Sequence, residues 1–367
     1  MNHSTAMTFP NKPLALLALV GLCLSIELGA QVSPQVMEDG RVTFRCRADH
    51  ADRVAVHGQF GAAVELEKDG SGTWSGSTTT PVEPGVYEYR FKIDGRDTID
   101  SRNPQIKPQR WPNTSILHIA STPPALWDIR DIPHGTIHRH VYHSKVLDQH
   151  RELIVYTPSG MTDEKLPVLY LAHGYSDNQR TWTEHGKAHS ILDALIHEKR
   201  AVPMIIVMSD AHAIDPGGKK FNAYAPKNTE AFSRELLEDV IPFVESHYPV
   251  NSSSTHRAFA GLSMGGHHAL SLALSHSESF SHIGAFSAAP PSIPDLSSDE
   301  VSAINTHLRL LWIACGDKDF LFARNQAFHA KIKQLNIESN YQITPGADHS
   351  WPVWRGYLID FVPKLFR

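Results

Sequence analysis

The chain has 367 residues, 41% hydrophobic and 20% charged, which is ordinary globular material and enough for two domains. A formal net charge of −5, with no basic run, argues against nucleic acid as a general partner. The 23 histidines make that charge climb steeply below about pH 6.5.

Residues 1–30 read as a secretory signal. Lys12 precedes an apolar run over 14–26 that is too short to span a bilayer. Cleavage is expected after Ala30, although Leu28 is larger than the residue usually found there. The mature protein is then expected to be secreted or periplasmic, without stable membrane association. Leu22 disfavours a lipid anchor at Cys23. Cys46 and Cys315 remain, far apart in the chain, and are expected to stay unpaired.

Residues 31–120 read as all-β. Val54-Ala-Val-His-Gly is a short strand, and Asp69-Gly-Ser-Gly is a turn before Trp74. Tyr87, Tyr89, Phe91 and Ile93 alternate with Glu88, Arg90 and Lys92, the period of a half-buried strand. Asp94-Gly95 then makes a hairpin turn. Such spacing predicts an immunoglobulin-like sandwich. Trp74, among strand positions, reads as core; Trp111, in a proline-rich loop, fits either packing or sugar contact. Residues 121–135 form a proline-rich linker, with Leu126, Trp127, Ile129 and Ile132 expected to pack in part on a domain.

From 136 to 367, strands alternate with helices. This predicts an α/β domain with a mostly parallel sheet and helices on both faces. His138, His140 and His143 lack a carboxylate or cysteine at ligand spacing and read as ordinary surface or hydrogen-bonded histidines. Apolar residues 167–172 lead into His173-Gly174-Tyr175-Ser176-Asp177. Helical patterns follow at 190–198 and 234–247, and another closes the chain at 354–365.

Between them, Ala258-Phe-Ala runs into Gly261-Leu262-Ser263-Met264-Gly265-Gly266 and then a small-residue helix pattern. Strand, sharp turn and helix are the setting in which G-x-S-x-G becomes a nucleophile elbow. His267 and His268 open that helix and read as packing or pocket lining. Downstream, the apolar run from Leu310 ends in Gly316-Asp317-Lys318-Asp319, and a second run ends in Pro345-Gly-Ala-Asp348-His349. Serine, acid and histidine therefore follow in α/β-hydrolase order, each at the carboxyl end of a strand. Asp317, Asp319 and Asp348 are all candidate acids.

Residues of about 133–367 resemble the feruloyl and acetylxylan esterases of the esterase D-like α/β-hydrolases. The resemblance is carried by Pro133-His-Gly, Leu171-Ala-His-Gly, the elbow, Ile313-Ala-Cys-Gly and Gly346-Ala-Asp-His-Ser-Trp. Residues 31–120 resemble the glycogen-binding type of immunoglobulin-like module. The resemblance implies Ser263 as nucleophile, His349 as base and Asp319 as its orienting acid. It also implies Met264 and Tyr175 N–H groups as the oxyanion hole, with no metal or organic cofactor. Gly174, Trp182, Tyr224 and Trp351 are candidate substrate contacts, and Phe221 stands with Tyr224 beside the expected acyl pocket.

The expected function is hydrolysis of feruloyl or acetyl esters on polysaccharides. The alternatives are a siderophore trilactone esterase and a catalytically silent carbohydrate-binding protein. The front module is expected to position the enzyme or touch glycan, so that a chain beginning near Ser121 keeps activity on small esters.

Overall fold

The structure is a computed structural model that describes residues 32–214 and 225–367. The expected signal at 1–30, together with Phe221 and Tyr224, lies outside the described residues.

The larger module is built on an eight-stranded sheet. Thr136–Ser144 and Gln149–Thr157 form an antiparallel hairpin at one edge, and Gln149–Thr157 runs antiparallel to Ile205–Ser209. From there every pairing is parallel, in the order Ile205–Ser209, Val168–Ala172, Arg257–Leu262, His282–Phe286, Leu310–Gly316 and Asn340–Thr344. Val168–Ala172 is buried at every position, as a strand covered on both faces must be. Successive residues enter opposite cores. Tyr170, Val207 and Phe259 face one, with Phe232, Leu270 and Phe328 from helices. Leu169, Ile206 and Ala258 face the other, with Ile191 and Leu358.

Two helices start earlier than the apolar pattern indicates. The one read at 234–247 begins with Pro226–Glu235, widens into a π-type turn at Leu236–Val240, and continues as Ile241–His247. Pro242 cannot donate a backbone hydrogen bond, which accounts for the widening just before it. The closing helix is Trp351–Phe361, followed by a 3-10 turn at Val362–Lys364. Pro352 in its first turn fits a helix start.

The front module is a sandwich of two sheets. Its longest strand, Gly85–Ile93, buries Tyr89 and Phe91 against Phe44, Val56 and Leu117. Asp94 and Gly95 have φ of 46° and 83°, the left-handed pair that a tight hairpin requires. Trp74 is core, and its indole donates to the Ala48 carbonyl at 2.9 Å. Trp111 is 63% exposed, with the Arg110 guanidinium 4.9 Å from its ring centroid. Cys46 and Cys315 are free and buried, and burial pushes the two thiols up to about 11 and about 12.

Residues 121–135 are tied down at both ends. Asp128 pairs with His118 and accepts the N–H groups of Ser121 and Ala125. Asp193 accepts from His134 and from the Gly135 N–H, each at 3.0 Å. Leu126 and Trp127 pack on the second core, whereas Ile129 is 83% exposed. Among the described residues, no helix is long and apolar enough to cross a membrane.

Candidate active site

Ser263 sits between strand Arg257–Leu262 and helix Met264–Ser275, with φ 52° and ψ −104°. That left-handed backbone costs about 1–3 kcal/mol and persists only where the surroundings enforce it. Two hydrogen bonds do so: Ser263 N–H to the Phe286 carbonyl at 2.8 Å, and Ala289 N–H to the Ser263 carbonyl at 3.1 Å. The flanking glycines answer to distance. A Cβ on Gly261 would stand 2.4 Å from the Gly265 carbonyl carbon, and one on Gly265 would stand 2.6 Å from the Ala172 carbonyl oxygen. Both obstacles are backbone. Gly265→Ala is therefore expected to destabilise the fold by about 3 kcal/mol, read from denaturant unfolding. A loss below about 1 kcal/mol would show that the helix can shift away.

His349 Nε2 lies 3.1 Å from Ser263 Oγ, and His349 Nδ1 lies 2.8 Å from Asp319 Oδ2. The Asp319 side chain is fully buried and that of His349 is 18% exposed. Burial works against the Asp319 carboxylate, but His349 and the Leu321 N–H hold it below the usual carboxylate range. The other two acids face elsewhere. Asp317 accepts the Gly346 N–H at 2.8 Å, and Asp348 accepts the Ser350 hydroxyl.

The loop after Val168–Ala172 closes the site from the opposite side. His173 Nδ1 lies 2.8 Å from the Gly174 carbonyl oxygen, and its Nε2 lies 3.1 Å from Asp210 Oδ1 and 3.0 Å from the Ala211 N. The Asp177 N–H reaches back to the Gly174 carbonyl at 3.2 Å. A Cβ on Gly174 would meet the Leu262 side chain at 2.6 Å. Met264 is the first residue of its helix, so its N–H has no intrahelical acceptor.

A cleft of about 230 Å³ opens over Ser263 and His349, bordered by Gly174, Tyr175 and Trp351. Tyr175 is 39% exposed, whereas Trp351 is buried and forms the floor. Trp182 is not a lining residue. It is buried, its indole donates to the Ala172 carbonyl at 2.9 Å, and it packs edge-on against Trp351. Its size and position in the core leave no face for substrate.

Two contributions escape the sequence. Phe320 lies with its ring centroid 4.5 Å from that of His349 and is 74% exposed, so it rims the site. Gln59, Glu88, Lys107 and Gln109 of the front module also border the cleft. The front module is therefore part of the site's wall, which removes the ground for expecting residues 121–367 to act alone.

His138, His140, His267 and His268 do not border this cleft. His138 contacts Thr157, and His140 contacts Tyr248. His267 and His268 are buried, with Thr229 and Ala289 around the first and Phe232 stacked on the second. His268 thus serves packing, whereas His267 also borders a separate cleft of about 670 Å³ beside Thr229 and Ser271.

A family model described as putative esterase matches residues 144–365, and carbohydrate-binding module 48, the isoamylase N-terminal domain, matches 27–107. An endo-1,4-beta-xylanase/feruloyl esterase of Xylanibacter ruminicola is 29% identical over 92% of this chain, which spans 46% of that protein. A CE1 ferulic acid esterase of the anaerobic fungus Anaeromyces mucronatus is 28% identical, with a TM-score of 0.57 over 65% of this chain and 93% of its own. The enterobactin esterase of Shigella flexneri shares the fold at 20% identity, with a TM-score of 0.62 over 89% of this chain and 92% of its own. On the match over 144–365, the chain belongs to the esterase family.

Proposed function

We propose that the protein is a serine carboxylesterase that removes feruloyl or acetyl groups from polysaccharides or their oligosaccharides through an acyl-enzyme. The observation that carries this reading is the hydrogen-bonded chain Ser263–His349–Asp319 beneath an open cleft. The exposed Phe320 ring beside His349 favours an aromatic acyl group over acetyl. The similarity to a feruloyl esterase of Xylanibacter ruminicola supports the substrate class.

In this mechanism His349 takes the Ser263 proton as Oγ attacks the ester carbonyl. The N–H groups of Met264 and Tyr175 receive the negative charge that develops on the carbonyl oxygen. One such donor is worth about 3–4 kcal/mol in the transition state. His349 then gives that proton to the sugar oxygen as its bond to the acyl carbon breaks, so the sugar leaves as an alcohol and the acyl group stays on Ser263. Water, activated by the same imidazole, releases the acid. Asp319 holds Nδ1–H and stabilises the imidazolium formed in both steps.

Turnover of a chromogenic short-chain ester tests catalysis, and a panel of methyl ferulate, acetylated xylan and an iron-free catecholate trilactone sorts the class. Methyl ferulate is expected to be the best substrate of the panel. Hydrolysis of the trilactone alone would overturn the polysaccharide reading. Export from the cytoplasm is part of the same proposal, supported by the apolar run at 14–26; a mature protein still beginning at Met1 would count against it.

A further inference from the structure

Residues 107–110 of the front module are seated on the turn at 174–177. Gln109 and Asp177 form an antiparallel bridge, and the Arg110 N–H donates to the Ser176 carbonyl at 2.9 Å. The Thr181 hydroxyl donates to the Pro108 carbonyl at 2.6 Å. At the head of this stretch, Lys107 Nζ lies 2.9 Å from Glu88 Oε1 and 2.9 Å from Asp177 Oδ1. The Lys107 and Asp177 side chains are each 4% exposed, and that of Glu88 is 15% exposed. An ammonium so enclosed, at ion-pair distance from two carboxylates, has little freedom to move.

We propose that Lys107 is a positioning residue for ester hydrolysis, fixing the 174–177 turn and with it the direction of the Tyr175 N–H. The inference rests on the esterase reading above. Backbone contacts from Gln109 and Arg110 hold the turn at Ser176 and Asp177, and the Lys107 ammonium is the cation paired with the one buried carboxylate of the turn. Its closing bond from Asp177 N–H to Gly174 O is 3.2 Å long, and it begins at a glycine, the residue with the freest backbone. Without the ammonium, Asp177 is a buried carboxylate with a strong reason to move toward water. A donor to the oxyanion helps only where it is already aimed, and a displacement of about 1 Å can cost about 10²-fold in rate. Lys107 also sits 5.7 Å from the Trp351 ring centroid, two residues from His349. The clamp thus ties the front module to both walls of the cleft. It links a residue of the first module to the chemistry of the second.

The test is Lys107→Met in the full chain, which keeps most of the aliphatic stem and removes the charge. On a small soluble ester, kcat is expected to fall on the order of 10²-fold with KM changed less than about threefold. Affinity for a boronic acid, whose serine adduct carries a tetrahedral oxyanion, should fall in parallel with kcat. Asp177→Asn should give the same split from the other side of the clamp. If Lys107→Met does not fold, Lys107→Met/Glu88→Gln keeps the net charge of the cluster and carries the same test. A kcat within threefold of the wild type in the folded variant overturns the inference. So does a change confined to KM, or a kcat loss without loss of boronic acid affinity. A wild-type protein with no ester turnover would instead overturn the esterase reading itself, so the two failures are distinguishable.

Discussion

Ser263→Ala is expected to lower kcat on a soluble ester by about 10⁶-fold while the protein stays folded. That factor corresponds to about 8 kcal/mol of lost transition-state stabilisation. Alanine keeps the Cβ that the strained elbow already tolerates at φ 52°, so the backbone has no new reason to relax. The hydroxyl removed has His349 Nε2 as its partner, and the imidazole remains held by Asp319. Oxyanion donors and substrate binding alone can leave about 10³–10⁴-fold over water. The measurement is kcat together with mass-spectrometric detection of a serine-directed phosphonate adduct. Undiminished turnover or labelling in Ser263→Ala would place the nucleophile elsewhere. Absence of both in the wild type would favour the silent carbohydrate-binding alternative.

Part of this site is written plainly in the chain, because its constraints are local. Gly261 and Gly265 are spaced by the approach of a strand end to a helix start, and each meets backbone where a Cβ would stand. His349 follows the strand Asn340–Thr344 and Asp319 follows Leu310–Gly316, so both reach the edge of the sheet where Ser263 emerges. The period of two at Tyr89 and Phe91 reports the sandwich in the same local way.

Other features depend on contacts with no local signature. The helix Pro226–Glu235 hides from an apolar pattern because its inward positions include Asn228, Ser233 and Glu235. Glu235 is buried but satisfied, accepting from the Tyr142 hydroxyl at 2.6 Å and from Arg151 Nε at 3.0 Å. Burial of a polar side chain is acceptable when it is so paired, and periodicity cannot report the pairing. Trp182, a candidate substrate contact, lies on the short helix Thr181–Glu184, which turns it inward. Leu321 takes the buried position after Asp319 and leaves Phe320 exposed over His349, an alternation that nothing in the local pattern announces. The clamp around Lys107 joins residues 70 positions apart in sequence, from Lys107 to Asp177, inside a stretch that reads only as a proline-rich loop.

Asp319→Asn is expected to lower kcat by about 10⁴-fold, about 5 kcal/mol, with the fold intact. The fold should survive because an amide oxygen at the Oδ1 position can still accept the Leu321 N–H, now made at 2.8 Å. The loss falls on the other oxygen. Oδ2 accepts Nδ1–H of His349 at 2.8 Å, which leaves Nε2 as the free base facing Ser263. An amide group presenting N–H there would favour the opposite tautomer, with its proton pointing at the nucleophile, and would no longer stabilise the imidazolium. Asp317→Asn is the control, because its carboxylate holds the Gly346 N–H at 2.8 Å and not the imidazole. It should cost less than about 1 kcal/mol of stability, because an amide oxygen can still accept that N–H, and less than tenfold in kcat. Asp348 is exposed, with the Ser350 hydroxyl as its partner, and its replacement by asparagine should leave kcat within a few-fold of the wild type. Steady-state kinetics and thermal unfolding of the three variants separate these roles. Should Asp317→Asn abolish turnover while Asp319→Asn leaves it near the wild-type value, the acid is Asp317 and the assignment of Asp319 fails.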